Sequence, residues 1–146
     1  MNNKEIIKKV LNETKPKKKY LNNAVMAFLF GGLICIIGQG FLWAYVSIFK
    51  FEENIARALM SISIIIIASI LTGLGIFDKI GQLAGAGTYL PISGFANSMT
   101  SAAIESKSEG LIFGILSNML KLAGTVIVAG VISAFIVSAI LYMVAI

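Results

Sequence analysis

The chain has 146 residues, of which 58% are hydrophobic and only 13% are charged, about half the charged fraction of an ordinary soluble domain. It contains one cysteine and no histidine, which excludes an internal disulfide and removes the commonest general base and metal ligand. The net charge of +5 lies in an N-terminal tail and not on a basic face with interleaved aromatic residues, so nucleic acid is not an expected partner.

Residues 1–20 form a lysine-rich tail, with seven lysines and two glutamates among the first 19 positions. Apolar residues at positions 6, 7, 10 and 11 recur at helical spacing, which predicts a short amphipathic helix on an anionic membrane surface, ending at Pro16. Three lysines at 17–19 directly precede a long apolar stretch. The positive-inside rule therefore predicts that the tail and the N-terminus are cytoplasmic.

Residues 21–146 are predicted to form a single transmembrane domain. The uncharged stretches 24–49 and 58–77 are each long enough to cross the hydrocarbon core, which needs about 20 apolar residues. A third span is predicted at 122–146, preceded by an apolar helix at 111–120. Taken as one helix, these last two stretches exceed the thickness of the bilayer core, so the sequence predicts that they protrude, tilt, or break at a glycine.

Residues 80–104 are uncharged but do not have the composition of a simple span. Five helix-breaking residues fall within 14 positions, namely Gly81, Gly85, Gly87, Pro91 and Gly94. Open backbone at membrane depth is tolerated only where it is buried in protein or lines a watery cavity. We therefore predict two half-helices, about 80–88 and 94–104, that form either a re-entrant hairpin or a broken crossing. The predicted fold class is an all-α polytopic membrane protein with three to five transmembrane helices and a broken or re-entrant Gly/Pro-rich segment.

Lys121 is the only charged residue between Glu109 and the C-terminus. A lysine at membrane depth is costly and faces a cavity or an acidic partner, whereas one that reaches an interface has no specific role. The sequence leaves both interpretations open. Amides and hydroxyls within spans likewise either bond a neighbouring helix or coordinate a polar solute. The candidate residues of a transport path are Gln39, Gln82, Thr88, Pro91, Ser93, Gly94, Asn97, Thr100 and Lys121.

The sequence predicts neither an enzyme nor a bound cofactor or metal. It contains no evident nucleophile–base pair, no cluster of metal ligands and no phosphate-binding glycine loop. We interpret Glu105, Lys107 and Glu109 as solvated residues of a turn.

Two stretches of the sequence resemble the membrane subunits of the stage V sporulation protein (SpoVA) family. They are GGLICIIGQG at 31–40 and GQLAGAGTYLPISGFANSMTSAAIESKSEG at 81–110. The resemblance extends from the lysine-rich tail through 119–124 and so covers most of the chain. The pattern FANSMTSA at 95–102 and the lysine at position 121 resemble the AC type more than the shorter AEb type.

This resemblance implies a channel subunit of the forespore and spore inner membrane that passes dipicolinic acid, with calcium, into the forespore and out again at germination. It further implies a hetero-oligomer in contact with membrane lipids, with an AEb-type sister subunit and a soluble AD-type protein that binds dipicolinate. Two alternatives remain, a non-conducting scaffold that anchors the soluble partner and a tension-gated pore. Because one lysine is a weak anion filter, either several subunits contribute or the calcium chelate crosses as a near-neutral species.

Overall fold

The computed structural model describes Ile7, Val10, Leu11 and residues 20–145, and every regular element in these residues is helical. Within residues 20–145, six α-helices follow one another as α1 Tyr20–Trp43, α2 Glu53–Gly73, α3 Phe77–Ala84, α4 Ala86–Tyr89, α5 Ile92–Glu105 and α6 Ser117–Ala145. Shorter turns are π-helical at Ala44–Ile48 and Leu111–Leu116 and 3₁₀ at Ser106–Glu109. Most of the predicted amphipathic tail helix, including its end at Pro16, lies outside the described residues.

Three helical stretches are long and apolar enough to cross a membrane, namely Tyr20–Ile48, Glu53–Gly73 and Leu111–Val144. Few of their side chains are buried inside the chain, so their apolar surfaces are available to lipid or to other subunits. The prediction of an all-α polytopic membrane protein is therefore confirmed.

The loop between α1 and α2 is closed by aromatic side chains. The ring of Tyr45 lies 5.9 Å from that of Phe49 and 6.4 Å from that of Phe51, measured between centroids. The Tyr45 hydroxyl also forms a 2.8 Å hydrogen bond with Ser63 Oγ on α2. Lys50 between the two phenylalanines has a positive φ of 58°, which turns the chain back sharply. The first hairpin is thus fixed at the end opposite to the lysine-rich tail.

Residues 80–104, which were predicted to form a broken segment, are indeed broken in the structure. The helix is interrupted at two places instead of one. Gly85 separates α3 from α4 with φ 52° and ψ −127°, a conformation that residues with a Cβ rarely adopt. Pro91 is extended, with ψ 172°, and stands at the N-terminus of α5. The predicted half-helix 80–88 is therefore divided, because glycine at position 85 permits a backbone reversal that the proline alone would not produce.

Small residues set the distances between the helices of this fold. The buried apolar residues among those described are Ala56, Ala68, Ala84 and Ala96, together with Phe77. The segment α3–α4 packs on α1, and α5 packs along α2. Helices in membranes approach closely where such residues meet, since van der Waals contact and not the hydrophobic effect drives their association.

The C-terminal helix continues without a break through Gly124 and Gly130. It contacts α5 near its start, and every described side chain from Val126 to Val144 is exposed. The candidate span Leu111–Val144 has 34 residues, and a helix of that length measures about 51 Å at 1.5 Å per residue. It therefore exceeds the bilayer core, which is about 30 Å thick.

Candidate functional site

The two breaks bring polar side chains into the interior. Thr88 precedes the second break and Ser93 follows it, and both are nearly fully buried. The Thr88 hydroxyl donates to the Gly85 carbonyl at 3.1 Å, and the Ser93 hydroxyl donates to the Thr88 carbonyl at 3.1 Å. The Ser93 hydroxyl therefore supplies a donor to a carbonyl at the second break, whereas the Gly85 carbonyl also accepts from the backbone N–H groups of Thr88 and Tyr89.

Asn97 connects the broken segment to the second span. Its side chain is buried, and its Oδ1 lies 2.8 Å from the Thr72 hydroxyl of α2. The same hydroxyl lies 2.7 Å from the Ala68 carbonyl one turn back. An amide–hydroxyl contact between helices in a membrane contributes on the order of 1 kcal/mol. The candidate Asn97 thus has a helix-bonding contact within this chain.

Gly94 and Pro91 shape the second break. A Cβ at Gly94 would lie 2.5 Å from the carbonyl carbon of Tyr89 and 2.6 Å from its Cα, closer than real Cβ atoms come to backbone. Pro91 is half-buried and sets the extended conformation before α5. Both candidates therefore have a structural role in folding the chain back on itself.

A cavity of about 200 Å³ lies between α1, α2 and α3. Its wall is almost entirely aliphatic and aromatic, and Thr88 and Ser93 are the hydroxyl residues that contribute to it. Because both hydroxyls are already bonded to carbonyls, the cavity offers little to a polar solute.

A second cleft, lined by charged, polar and apolar residues, opens to the surface and has a volume of about 470 Å³. One wall is the end of α5 and the following 3₁₀ turn, and the other is the first part of α6. Its lining residues are Ala102, Glu105, Ser106, Glu109, Asn118, Lys121, Leu122 and Thr125. We call this site the Lys121 cleft. It holds charges of both signs, since Lys121 faces the same space as the two glutamates.

The remaining candidates lie elsewhere. Gln39 is exposed on α1, and Thr100 is half-buried on α5. Gln82 lines a separate cleft of about 350 Å³ beside Asn23 of α1. The structure thus brings Thr88, Ser93 and Asn97 into one region with Pro91 and Gly94, but leaves Gln39, Gln82 and Lys121 apart from them. Their role in transport stays a prediction.

Sequence reasoning missed four residues that the structure adds to these sites. Thr72 was not singled out, although a hydroxyl residue close to the end of a span is a usual partner for an amide. Glu105 and Glu109 were interpreted as turn residues, yet they line the Lys121 cleft. Asn118 stands three positions before Lys121, and that i, i+3 spacing places both on one helix face.

Within the described residues, the charged groups are largely unpaired. The ion pair that the structure shows there joins Arg57 to Glu53 on the exposed first turns of α2. No group of three or more acidic or cysteine side chains that could hold a metal ion occurs in the same residues. Lys121 is exposed and forms no ion pair with Glu105 or Glu109 in the described structure.

The three apolar helices and the glycine- and proline-broken segment packed on two of them define a polytopic α-helical membrane protein. The family model of the SpoVAC/SpoVAEB sporulation membrane proteins matches residues 23–140. Stage V sporulation protein AC of Bacillus subtilis (strain 168) is 53% identical over 136 residues, which are 93% of this chain and 91% of that protein. No solved structure matches the chain. The chain belongs to the SpoVAC/SpoVAEB sporulation membrane protein family, and the resemblance inferred from 31–40 and 81–110 is confirmed.

Proposed function

We propose that this chain is a channel subunit that passes dipicolinic acid, accompanied by calcium, across the forespore and spore inner membrane. Transport runs inward during spore formation and outward during germination. Membership of a sporulation membrane protein family supports a role in a membrane of the developing spore. The single structural observation that carries the proposal is the twice-interrupted segment packed on α1 and α2, since broken helices within membrane bundles are a recurrent feature of solute paths.

The path requires more than one chain in this proposal. The interior hydroxyls are bonded within the chain, and the cavity beside them is apolar. The exposed polar groups at Gln39, Gln82 and Lys121 lie on outer surfaces, where they can face a water-filled space between subunits. We therefore propose a hetero-oligomer with an AEb-type sister subunit, and a soluble AD-type dipicolinate-binding protein docked on the cytoplasmic side, for which the positive-inside rule predicts the lysine-rich tail.

The test compares two glycine substitutions in spores of a strain that lacks its own copy of the chain. Gly94→Ala introduces a Cβ against the backbone of Tyr89 and distorts the second break. The matched control is Gly32→Ala, because no atom lies within 4 Å of a Cβ at that position. We expect the native chain and the control to restore dipicolinate content, and Gly94→Ala to leave it low while the protein still reaches the membrane fraction. Normal dipicolinate in spores without any copy of the chain would refute the proposal.

One observation favours a second candidate, a non-conducting scaffold that anchors the soluble partner. The buried polar side chains Thr88, Ser93 and Asn97 all have partners inside the chain, as expected of elements that only hold a shape. A scaffold predicts that the soluble partner leaves the membrane fraction when the chain is absent, and that Gly94→Ala alters transport only in proportion to partner retention. A channel predicts lost transport with the partner retained.

A further inference from the structure

The apolar cavity between α1, α2 and α3 lies at the depth of the hydrocarbon core. On α1 its wall includes Leu33 and Ile37, which stand near the middle of the first candidate span. On α2 the wall runs from Ile64 to Leu71, inside the second candidate span. The described residues that line the cavity include no charged side chain. Its surroundings at this depth are therefore lipid tails and protein, not water.

The cavity is partly open to the outer surface of the two spans. Three of its lining side chains are exposed, namely Leu33, Ile37 and Ile67, with exposed fractions of 51%, 45% and 41%. We call these three residues the rim. The opposite side of the cavity, its floor, includes the buried residues Ala68 and Phe77. Because the exposed surface of a membrane-crossing helix faces lipid, a molecule that passes the rim comes from the hydrocarbon phase.

Two close contacts of α1 keep the walls of the cavity apart. At Gly38, α1 meets α2, since an added Cβ there would lie 3.3 Å from Ile64 Cδ1. At Gly31, α1 meets α4, since an added Cβ there would lie 3.6 Å from the Cα of Gly87. These contacts are about 10 Å apart along the helix at 1.5 Å per residue. Closing the space between them would therefore require α1 to bend.

Hydrocarbon suits this cavity better than water does. The hydroxyls of Thr88 and Ser93 each donate to a backbone carbonyl at 3.1 Å, whereas a buried water needs two to four polar partners. An empty space would deprive all of the lining atoms of dispersion contacts. Apolar cavities of about 150 Å³ lined by Leu, Ile and Phe stay dry and bind benzene. The present cavity, of about 200 Å³, has the same kind of wall and accommodates a flexible hydrocarbon segment.

We propose that this cavity is a binding site for one acyl chain of a membrane phospholipid, which enters between α1 and α2 past the rim. The end of the acyl chain lies against the broken segment, because Phe77, Thr88 and Ser93 line the same space. The lipid thereby fills the gap between the two spans and supports the second break from within the membrane. This inference goes beyond the proposed function, since it does not depend on which solute the protein passes.

Photolabelling of the purified full-length chain in phosphatidylcholine vesicles tests the proposal. The probe is a phosphatidylcholine with a diazirine in the middle of one acyl chain, and mass spectrometry locates the labelled residues. Ile67→Trp blocks the rim, and its matched control is Ile66→Trp, the same change at a neighbouring exposed position outside the cavity. A second pair is Leu33→Trp at the rim and Leu29→Trp, which is exposed on α1 but does not line the cavity.

Lipid that merely surrounds the protein labels exposed residues, whereas an acyl chain in the cavity also labels the buried floor. We expect label on Ala68 and Phe77 of the native chain, with the exposed residues 126–144 as the internal reference for surrounding lipid. Each rim variant should lower floor labelling at least about threefold relative to that reference, because an indole buries on the order of 200 Å². Both controls should leave it unchanged.

Circular dichroism confirms that each variant keeps its helix content, and two independent pairs keep the test decisive if one variant does not fold. Label confined to exposed residues would overturn the proposal, and this is the result expected if a side chain of another subunit fills the cavity. Equal floor labelling in rim variants and controls would overturn it as well, since the acyl chain would then not enter past the rim.

Discussion

Gly87 is a position where a single added methyl group should force two helices apart. It lies in α4, and its backbone touches α1, where Gly31 lies beside it. A Cβ at Gly87 would lie 2.9 Å from both the carbonyl carbon and the Cα of Ala27, and closer still to the carbonyl oxygen. All three are backbone atoms, so no side chain can rotate away and α4 would have to move from α1.

The expected change in the free energy of unfolding for Gly87→Ala is the difference between two opposing contributions. Ordinary carbon contacts lie at about 3.5–4.0 Å, so relief requires a shift of roughly 1 Å between the two helices. Forced packing of this kind typically costs about 1–3 kcal/mol. Replacing glycine by alanine in a helix contributes up to about 1 kcal/mol in the other direction. Gly87→Ala should therefore be destabilising by up to about 2 kcal/mol once the full helix term is subtracted, whereas Gly32→Ala, with open space around it, should be neutral or stabilising.

The measurement is thermal unfolding of the two variants and the native chain in the same detergent, followed by circular dichroism. We expect the Tm of Gly87→Ala to fall and that of Gly32→Ala to stay equal or rise. Gly81→Ala provides an intermediate case, because its Cβ would meet the ring and hydroxyl of Tyr89, a side chain that can move. If Gly87→Ala unfolds at or above the Tm of Gly32→Ala, α4 does not pack on α1 as described.

Three further substitutions test the remaining contacts through the same unfolding assay. Asn97→Ala removes the partner of Thr72 on α5 but leaves the Ala68 carbonyl, and it should lower stability by on the order of 1 kcal/mol. Thr72→Val should cause a smaller loss in the Asn97→Ala background than it causes alone. Tyr45→Phe keeps the ring contacts but removes the bond to Ser63, so a loss of about 0.5–1.5 kcal/mol is expected; an unchanged Tm would mean that the hydroxyl is equally well satisfied by water. Gly110→Ala forces a Cβ into φ 95° and should be destabilising by about 1–3 kcal/mol, in contrast to Gly124→Ala within α6.

The fold class could be predicted from the sequence because a helix that crosses a bilayer must be about 20 residues long and largely apolar. Uncharged stretches at 24–49 and 58–77 correspond to two of the helices that can cross, and the glycine–proline stretch is broken as predicted. The break at Gly85 was harder to locate, because the sequence around it contains several glycines that could each turn the chain. Of the glycines in residues 80–104, only Gly85 adopts a positive φ. Local sequence does not say which glycine will turn the chain.

Contacts between distant positions account for what the sequence did not predict. Thr72 and Asn97 are 25 residues apart, and their bond depends on how α5 lies on α2. The Lys121 cleft joins α6 to a turn that was interpreted as merely solvated. Residue types at these positions were informative, but their pairing follows from helix packing, which a single sequence does not specify.

The alanine and glycine interior has a consequence for how this protein tolerates change. Among the described residues, four alanines are buried on its inner surface, so most possible replacements there add volume and separate two helices. Its outer surface is built from exposed isoleucine, leucine, valine and phenylalanine, which lipid solvates almost equally well. Mutational tolerance should therefore run opposite to that of a water-soluble protein, with large apolar residues outside free to interchange and the smallest residues inside held fixed.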